Sequence, residues 1–298
     1  MPSEASRFFP DGDSRANSRG RRRWNMDVSR PLPDVRCDSA TRAHSICRFP
    51  SHGLFRNLSV MRNPVIVALD IPDPARALAL ARAVGPHVGA VKVGKELFVS
   101  AGPDIIRTLR ADGVGVFLDL KFHDIPNTVA KAVASATRLG VQMCTLHASG
   151  GTAMLRAAVA SANETASAAG VPPPLLLAVT VLTSHDDGSL AETGVAATVE
   201  AQVEHLARVA VGAGVPGLVC SPLELPRLRS FLPAGVQLVT PGIRTGNEKA
   251  DDQRRTLSPR EAMAAGASWL VVGRPIYAAA DPVAAARAIA AEACGQAG

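Results

Sequence analysis

The chain has 298 residues, of which 47% are hydrophobic, so it is long enough for one large domain or two small ones. Its net charge of +6 is concentrated near the N-terminus: residues 1–60 hold 11 Arg and 6 acidic residues, whereas residues 61–298 hold 21 basic and 20 acidic residues. The near-neutral charge of residues 61–298, the body of the chain, argues against nucleic-acid binding. No apolar run is long enough to span a bilayer, so we expect no membrane partner. The five cysteines are scattered without a Cys-x-x-Cys pair, which favours a reducing compartment, the cytoplasm, and no structural metal.

Residues 1–60 differ from the remainder in being rich in Arg, Ser, Pro and Asp, with no sustained helical or strand period. We therefore expect a disordered extension. The simplest interpretation is an upstream segment without a fold of its own, or a start codon assigned too early, because Met61 directly precedes the first predicted strand. A transit peptide fits the Arg and Ser content but not the six acidic residues, and a nucleic-acid-binding arm is the third alternative.

From residue 64 onwards, strand and helix patterns alternate through the rest of the chain. Short apolar runs predict strands at residues 65–70, 90–94, 114–121, 143–148, 175–182, 217–221, 237–242 and 269–273. Helical spacing and capping residues predict helices at about 74–85, 103–112, 126–139, 198–213 and 223–231, and helices that begin at 259 and 282. An Ala-rich helix that ends at about residue 168 follows the fourth strand. Eight strand–helix units in a domain over residues 61–298 are typical of a (β/α)₈ TIM barrel, with a doubly wound sheet as the alternative.

The stretch Asp-Leu-Lys-Phe-His-Asp-Ile-Pro-Asn-Thr at residues 119–128 holds the most informative charges. Side chains alternate in a strand, so Asp119 and Lys121 share a face at the end of the third strand, and Asp124 follows in the loop. Opposite charges at the end of a buried strand are costly unless they pair or take part in chemistry. A structural ion pair is the plainer interpretation. Lys92, on the second strand, would extend the set to alternating cations and anions, an arrangement that keeps each group ionised.

A second group of residues follows the seventh and eighth strands. Arg244 ends the seventh strand, a polar segment over 245–257 follows, and Gly273-Arg274 ends the eighth strand. In TIM barrels this corner commonly holds a phosphate, for which Gly allows close backbone approach and Arg supplies paired donors. The length and polarity of the segment indicate a lid.

These residues predict a barrel enzyme that acts on a phosphorylated substrate through a lysine with flanking carboxylates. A lysine can form a Schiff base or donate a proton. A Schiff-base lysine must first lose its proton, which the neighbouring aspartates oppose, so the pattern favours a general acid. His123, His147 and Cys144 receive no catalytic role: His123 lies in a turn, His147 ends the fourth strand, and Cys144 is expected to be a buried small residue.

The 119–128 stretch strongly resembles the signature of the orotidine 5′-phosphate decarboxylase family. Further segments are similar to those of the family and stand in the same order, at residues 67–70, 91–94, 182–184, 240–244, 252–253 and 272–275. The resemblance covers residues 64–293 and does not include the N-terminal extension. It implies a single-domain TIM barrel that converts orotidine 5′-phosphate into UMP and CO₂, the last step of de novo pyrimidine nucleotide synthesis, without cofactor or metal.

The resemblance also implies a role for individual residues. Lys121 would deliver a proton to C6 of the pyrimidine, Asp119 would lie near the departing carboxylate, and Lys92 would hold the charges together and contact the ribose. In a homodimer with shared active sites, Asp124 and Thr128 would come from the partner subunit. The remaining substrate contacts would be Asp70 to a ribose hydroxyl, Thr183 to the pyrimidine, and the phosphate ligands Arg244, Gln253, Gly273 and Arg274.

Two other functions remain open from the sequence. Sugar-phosphate decarboxylases and aldolases of the same superfamily share the Asp-x-Lys-x-x-Asp core but need Mg²⁺. The Ile-Pro-Asn-Thr continuation, together with Arg244 and Gln253, favours the nucleotide instead. The second is a nucleic-acid-binding factor that acts through the basic N-terminal segment, which the near-neutral body argues against.

Overall fold

A computed structural model of the chain describes residues 63–244 and 256–295. The expectations for residues 1–60, for the domain boundary at residue 61, for Gln253 and for most of the predicted lid lie outside these residues. None of the helices in the described part is long and apolar enough to cross a bilayer.

Eight parallel strands close into a barrel in which each strand pairs with the next along the chain and the last pairs with the first. The strands are β1 (Val65–Ala68), β2 (Ala90–Gly94), β3 (Val116–Phe122), β4 (Met143–His147), β5 (Leu175–Val179), β6 (Gly217–Val219), β7 (Gln237–Thr240) and β8 (Trp269–Val272). The prediction of a (β/α)₈ barrel is confirmed, and the alternative of a doubly wound sheet is wrong.

Helices surround the barrel, and most begin at a sequence signal of the expected kind. They are α1 (Pro74–Val84), α2 (Lys95–Ala101), α3 (Asp104–Ala111), α4 (Pro126–Arg138), α5 (Gly151–Ala169), α6 (Asp187–Ala191), α7 (Val199–Gly212), α8 (Leu225–Arg229), α9 (Pro259–Ala264), α10 (Arg274–Tyr277) and α11 (Pro282–Ala293). The Asp73 side chain accepts from two amides at the start of α1, and Ser258 with Glu261 forms the predicted capping box of α9. These bonds satisfy amides that have no partner within the helix.

Alternating strand residues build two separate apolar layers. Between the strands and the helices lies a large core that includes Val91, Val116 and Leu118. Inside the barrel a smaller cluster fills the interior, made of Ile66, Ala90, Phe117, Met143, Leu175, Leu177, Val239 and Trp269. Because the interior is filled up to this level, polar residues farther along the same inward faces lie at the barrel mouth.

The structure differs from the sequence prediction at several element boundaries. The fifth strand ends at Val179 rather than at residue 182, and α2, α6 and α10 were not predicted. Each unpredicted helix is seven residues or shorter and buries a single residue: Leu97, Leu190 and Ile276 respectively. One apolar position is too few to produce a helical period in the sequence.

Candidate active site

Four charged side chains form a continuous row at the barrel mouth, in the order Asp70, Lys92, Asp119 and Lys121. Lys121 Nζ donates to both carboxylate oxygens of Asp119 at 2.8 Å. Lys92 Nζ lies 3.8 Å from Asp119 Oδ2 and donates to Asp70 Oδ1 at 2.9 Å. Of the alternating set predicted from the sequence, Lys92, Asp119 and Lys121 lie together, but the second anion of the row is Asp70 and not Asp124. Each cation has a carboxylate beside it.

The strand pairing explains how these residues come together. Lys92 pairs with Phe117, and two residues later Gly94 pairs with Asp119. Side chains alternate along a strand, so Lys92 and Asp119 both point into the barrel from neighbouring strands. A Cβ on Gly94 would lie 3.2 Å from Lys92 Nζ and 3.5 Å from Asp70 Oδ1. The absence of a side chain at Gly94 thus leaves room for the Lys92–Asp70 contact.

The backbone at Lys121 is unusual. Its φ of 55° is the only positive value for a non-glycine residue in the described part of the chain. Pairing between β3 and β4 is regular up to Leu118 and Cys144 but resumes only at Phe122 and Leu146. Non-glycine residues adopt this conformation at a cost, and such strain often occurs at functional sites.

Thr145, on β4, contacts both members of the Asp119–Lys121 pair and was not identified from the sequence. Its hydroxyl accepts from the Lys121 amide at 2.9 Å and donates to Asp119 Oδ1 at 2.9 Å. A threonine inside a buried strand is an ordinary β-forming residue, so the sequence carried no signal of this role.

The electrostatics keep Asp119 ionised. Burial raises the pKa of this carboxyl, but Lys121, Lys92 and the hydrogen bonds from Lys121 and Thr145 outweigh burial and hold the pKa below its usual value. The side chains of Lys92 and Asp119 are only 12% and 13% exposed, whereas Asp70 is 50% exposed at the outer end of the row. The centre of the row is therefore screened least by water.

A cavity of about 520 Å³ opens above the row. It is lined by eight of the residues predicted from the sequence: Asp70, Lys92, Asp119, Lys121, Thr183, Arg244, Gly273 and Arg274. The apolar side chains Phe117, Val179, Val219 and Val271 also line it. A cavity of this size with charged groups at separate places can hold a nucleotide-sized ligand.

The base of the polar segment after β7 is closed by main-chain pairing. Ile243 and Leu257 form a parallel bridge, and the Arg244 amide donates to the Leu257 carbonyl at 3.0 Å. This brings the two ends of the segment together beside the cavity. Gln253 lies within the segment and outside the described residues.

Two predicted site residues do not line the cavity of their own chain. Asp124 and Thr128 are exposed, at the loop after β3 and in the first turn of α4. The Asp124 carboxylate accepts from the amide of Ile125 at 2.6 Å. Within this chain, neither residue is placed beside Lys121 Nζ, whose described contacts are both with Asp119.

A second recess of about 320 Å³ adjoins the cavity on the side of Lys121 and is lined also by Lys95, Glu96 and His147. The His147 ring lies 5.3 Å from the ring of His123. Burial lowers the pKa of His147, and His123, Lys121 and Lys95 lower it further. Lys95 lies at the start of α2, the helix that the sequence did not predict, so its place beside the site could not be anticipated. In the described residues no three His, Cys, Asp or Glu side chains form a metal-binding group.

Comparisons with known proteins agree on one family. The sequence model of the orotidine 5′-phosphate decarboxylase / HUMPS family matches residues 63–289. The orotidine 5′-phosphate decarboxylase of Pseudomonas aeruginosa strain PAO1 is 52% identical over 235 residues, which cover 79% of this chain and 99% of that protein. The Moorella thermoacetica protein of the same name is 50% identical over 232 residues, covering 78% and 92%.

Two solved structures resemble this chain, and one of them carries the same name. The crystal structure of orotidine 5′-phosphate decarboxylase from Lactobacillus acidophilus is 40% identical, with a TM-score of 0.68, and the match covers 78% of this chain and 99% of that one. An uncharacterized conserved protein from Geobacillus kaustophilus is 35% identical, with a TM-score of 0.67 and coverage of 77% and 100%.

Proposed function

The chain belongs to the orotidine 5′-phosphate decarboxylase / HUMPS family, and from this premise we propose how its barrel mouth converts orotidine 5′-phosphate into UMP and CO₂. With this activity the chain is a carbon–carbon lyase of pyrimidine synthesis. Neither the magnesium-dependent sugar-phosphate enzyme nor the nucleic-acid-binding factor is supported by the relatives, whose names specify orotidine 5′-phosphate decarboxylase.

One observation carries the mechanism: Lys121 Nζ is held 2.8 Å from both oxygens of Asp119, inside a cavity large enough for the nucleotide. When the bond between C6 and the carboxylate breaks, its electron pair stays on C6 and CO₂ leaves. The Lys121 ammonium donates its proton to C6, and the neutral amine then regains a proton from water. The carbon has no conjugated acceptor for this charge, so the ammonium must already be in place as the charge develops.

Asp119 and Lys92 prepare this geometry. Asp119 binds the lysine through both carboxylate oxygens, which restricts the ammonium to one position, and Lys92 partly neutralises the same carboxylate. Preorganisation of this kind lowers the barrier because no reorientation is needed during the reaction. Asp70, at the exposed end of the row, binds the ribose, and Thr183 contacts the pyrimidine.

The other part of the cavity binds the phosphate. Gly273 and Arg274 at the end of β8 and Arg244 after β7 line it, and Gln253 completes this set of ligands. A guanidinium binds phosphate oxygens through paired hydrogen bonds. Because the phosphate does not react, its binding energy serves to fix the pyrimidine against Lys121.

The enzyme works as a homodimer in which Asp124 and Thr128 enter the partner's active site. The exposed position of both residues in their own chain supports this arrangement. Ile125, next to Asp124, is 65% exposed, and Val99 on α2 is 84% exposed, so apolar side chains are available for an interface.

The cytoplasm is the proposed compartment, since Cys144 and Cys220 are buried thiols without a disulfide and the substrate belongs to nucleotide synthesis. No metal or cofactor takes part in the proposed steps.

The test is direct. Purified protein, treated with EDTA, is mixed with orotidine 5′-phosphate, and the ultraviolet absorbance and the formation of UMP are followed. We expect full turnover. Activity that is lost with EDTA and restored by Mg²⁺ would instead assign the chain to the metal-dependent relatives.

A further inference from the structure

Thr145 occupies a special position opposite the irregular part of β3. Between the paired residues Leu118–Cys144 and Phe122–Leu146, β3 has three residues whereas β4 has one, and that one is Thr145. Its side chain is fully buried. Regular pairing cannot supply a main-chain partner for every group of the longer segment. The Thr145 hydroxyl accepts from the Lys121 amide and so satisfies one of these groups.

The directions of the two hydrogen bonds at Thr145 follow from the groups involved. An amide can only donate, so Oγ1 is the acceptor from the Lys121 N–H. An ionised carboxylate can only accept, so the hydroxyl proton points to Asp119 Oδ1. A single hydroxyl therefore connects the backbone of the lysine to the side chain of the aspartate, and both bonds are 2.9 Å long.

This connection closes a ring of contacts. Lys121 Nζ binds Asp119, Asp119 binds Thr145, and Thr145 binds the Lys121 backbone. Lys121 has a left-handed backbone conformation, with a φ of 55°, that a lysine does not favour by itself. The ring holds this conformation and the carboxylate in fixed relative positions, and together they determine where the ammonium lies.

We propose that Thr145 is a positioning residue for proton transfer. Its hydroxyl holds the Lys121 backbone and the Asp119 carboxylate in the relative positions that the transfer needs. The inference rests on the proposed function, because it assumes that Lys121 donates the proton. Thr145 is not among the residues that line the cavity, so its effect is exerted through these two neighbours.

The main test compares Thr145→Val with the wild type. Valine keeps the branched shape and volume of threonine but removes the hydroxyl, so the Lys121 amide and Asp119 each lose a partner. Misplacement of a reacting group commonly costs up to about a hundredfold in rate, and we expect kcat to fall about ten- to a hundredfold. KM should change less than about threefold, because the phosphate and ribose contacts remain. Thr145→Ser keeps the hydroxyl and should restore kcat to within about threefold of wild type.

The pH dependence of kcat separates positioning from a general loss of packing. The titratable groups that interact with Asp119 are Lys121 on β3, Lys92 on β2, and Cys144 and His147 on β4. The Thr145 hydrogen bond helps to lower the pKa of Asp119. Its removal should move the acid limb of the kcat profile of Thr145→Val to higher pH, whereas a change in packing alone would leave the limb in place.

Thr137→Val serves as the matched control. Thr137 is also buried and its hydroxyl donates to the Val133 carbonyl within α4, away from the site. This variant should keep wild-type kcat and the wild-type pH profile. A Thr145→Val enzyme with wild-type kcat would overturn the inference, as would an equal loss in Thr137→Val. Failure of the wild-type enzyme to act on orotidine 5′-phosphate would instead refute the proposed function.

Should Thr145→Val not fold, as judged by circular dichroism, Thr145→Cys replaces it. Thr145→Ala, which also lacks the hydroxyl, is then measured beside it. A thiol is a weak donor and a weak acceptor, so we expect the kcat of Thr145→Cys to lie between those of Thr145→Ala and Thr145→Ser. Equal kcat values for the Cys, Ala and Ser variants would contradict the proposed role.

Discussion

The proposed shared active site can be tested by mixing two inactive variants. In the proposed arrangement, Lys121→Ala removes the proton donor of its own chain, and Asp124→Asn removes the carboxylate that the chain contributes to its partner. Each homodimer should be nearly inactive, because a general acid commonly contributes about a hundredfold or more to the rate. In a hybrid dimer, one site carries both changes, whereas the other combines an intact Lys121 with an intact Asp124.

The expected recovery follows from counting sites. Random exchange between equal amounts of the two variants makes about half of the dimers hybrid, and each hybrid has one intact site out of two. Activity should therefore rise from about a hundredth or less of wild type to roughly a quarter. Steady-state turnover of orotidine 5′-phosphate is measured before and after mixing, and native mass spectrometry measures the fraction of hybrid dimers.

A matched mixture provides the control. Asp119 lies 2.8 Å from Lys121 in the same chain, so hybrids of Lys121→Ala and Asp119→Asn have one change in each site and should show no recovery. If the Lys121→Ala and Asp124→Asn mixture also stays inactive although hybrids have formed, Asp124 acts within its own chain and the shared-site arrangement is refuted.

Further predictions concern stability and the N-terminal segment. The pKa of Asp119 is lowered in the folded state, so its contribution to stability is present above the unfolded value of about 3.9 and is lost as the pH falls through the folded value. Urea titrations measure the difference in unfolding free energy between wild type and Asp119→Asn. This difference should be constant above about pH 5 and shrink below about pH 4. A difference that grows on acidification would contradict the ionised state assigned to Asp119. Removing residues 1–60 should leave kcat and the melting temperature almost unchanged, since 235 residues of this chain already match 99% of the Pseudomonas aeruginosa protein. Aggregation or loss of activity in the truncated protein would show that the segment supports the barrel.

Much of the fold could be predicted because the barrel depends on simple periodicities. Short apolar strands and capped helices appear in the sequence as alternating patterns, and the inward positions of Lys92 and Asp119 follow from a period of two. The positions at which strands end were predicted less well. The fifth strand stops at Val179 although the apolar run continues, because beyond that point the chain leaves the sheet to border the cavity.

The charges that we propose to be catalytic could be predicted because oppositely charged residues within a buried strand are costly and therefore conspicuous. Thr145 and Lys95 could not, since their importance depends on contacts between strands. The irregular pairing at β3 places Thr145 against Lys121, and an unpredicted helix places Lys95 beside the recess. Neither a shift in pairing nor a short helix with one buried residue alters the apolar period of the sequence.

The most direct test of the central claim is the catalytic effect of Lys121→Ala, with Lys131→Ala, an exposed lysine on α4, as the control. For Lys121→Ala we predict kcat below about a hundredth of wild type, with UMP still bound within a few-fold of the wild-type affinity because the phosphate ligands are intact. Lys131→Ala should match wild type in both measurements. A Lys121→Ala enzyme that binds UMP normally and retains more than about a hundredth of wild-type kcat would show that another group donates the proton.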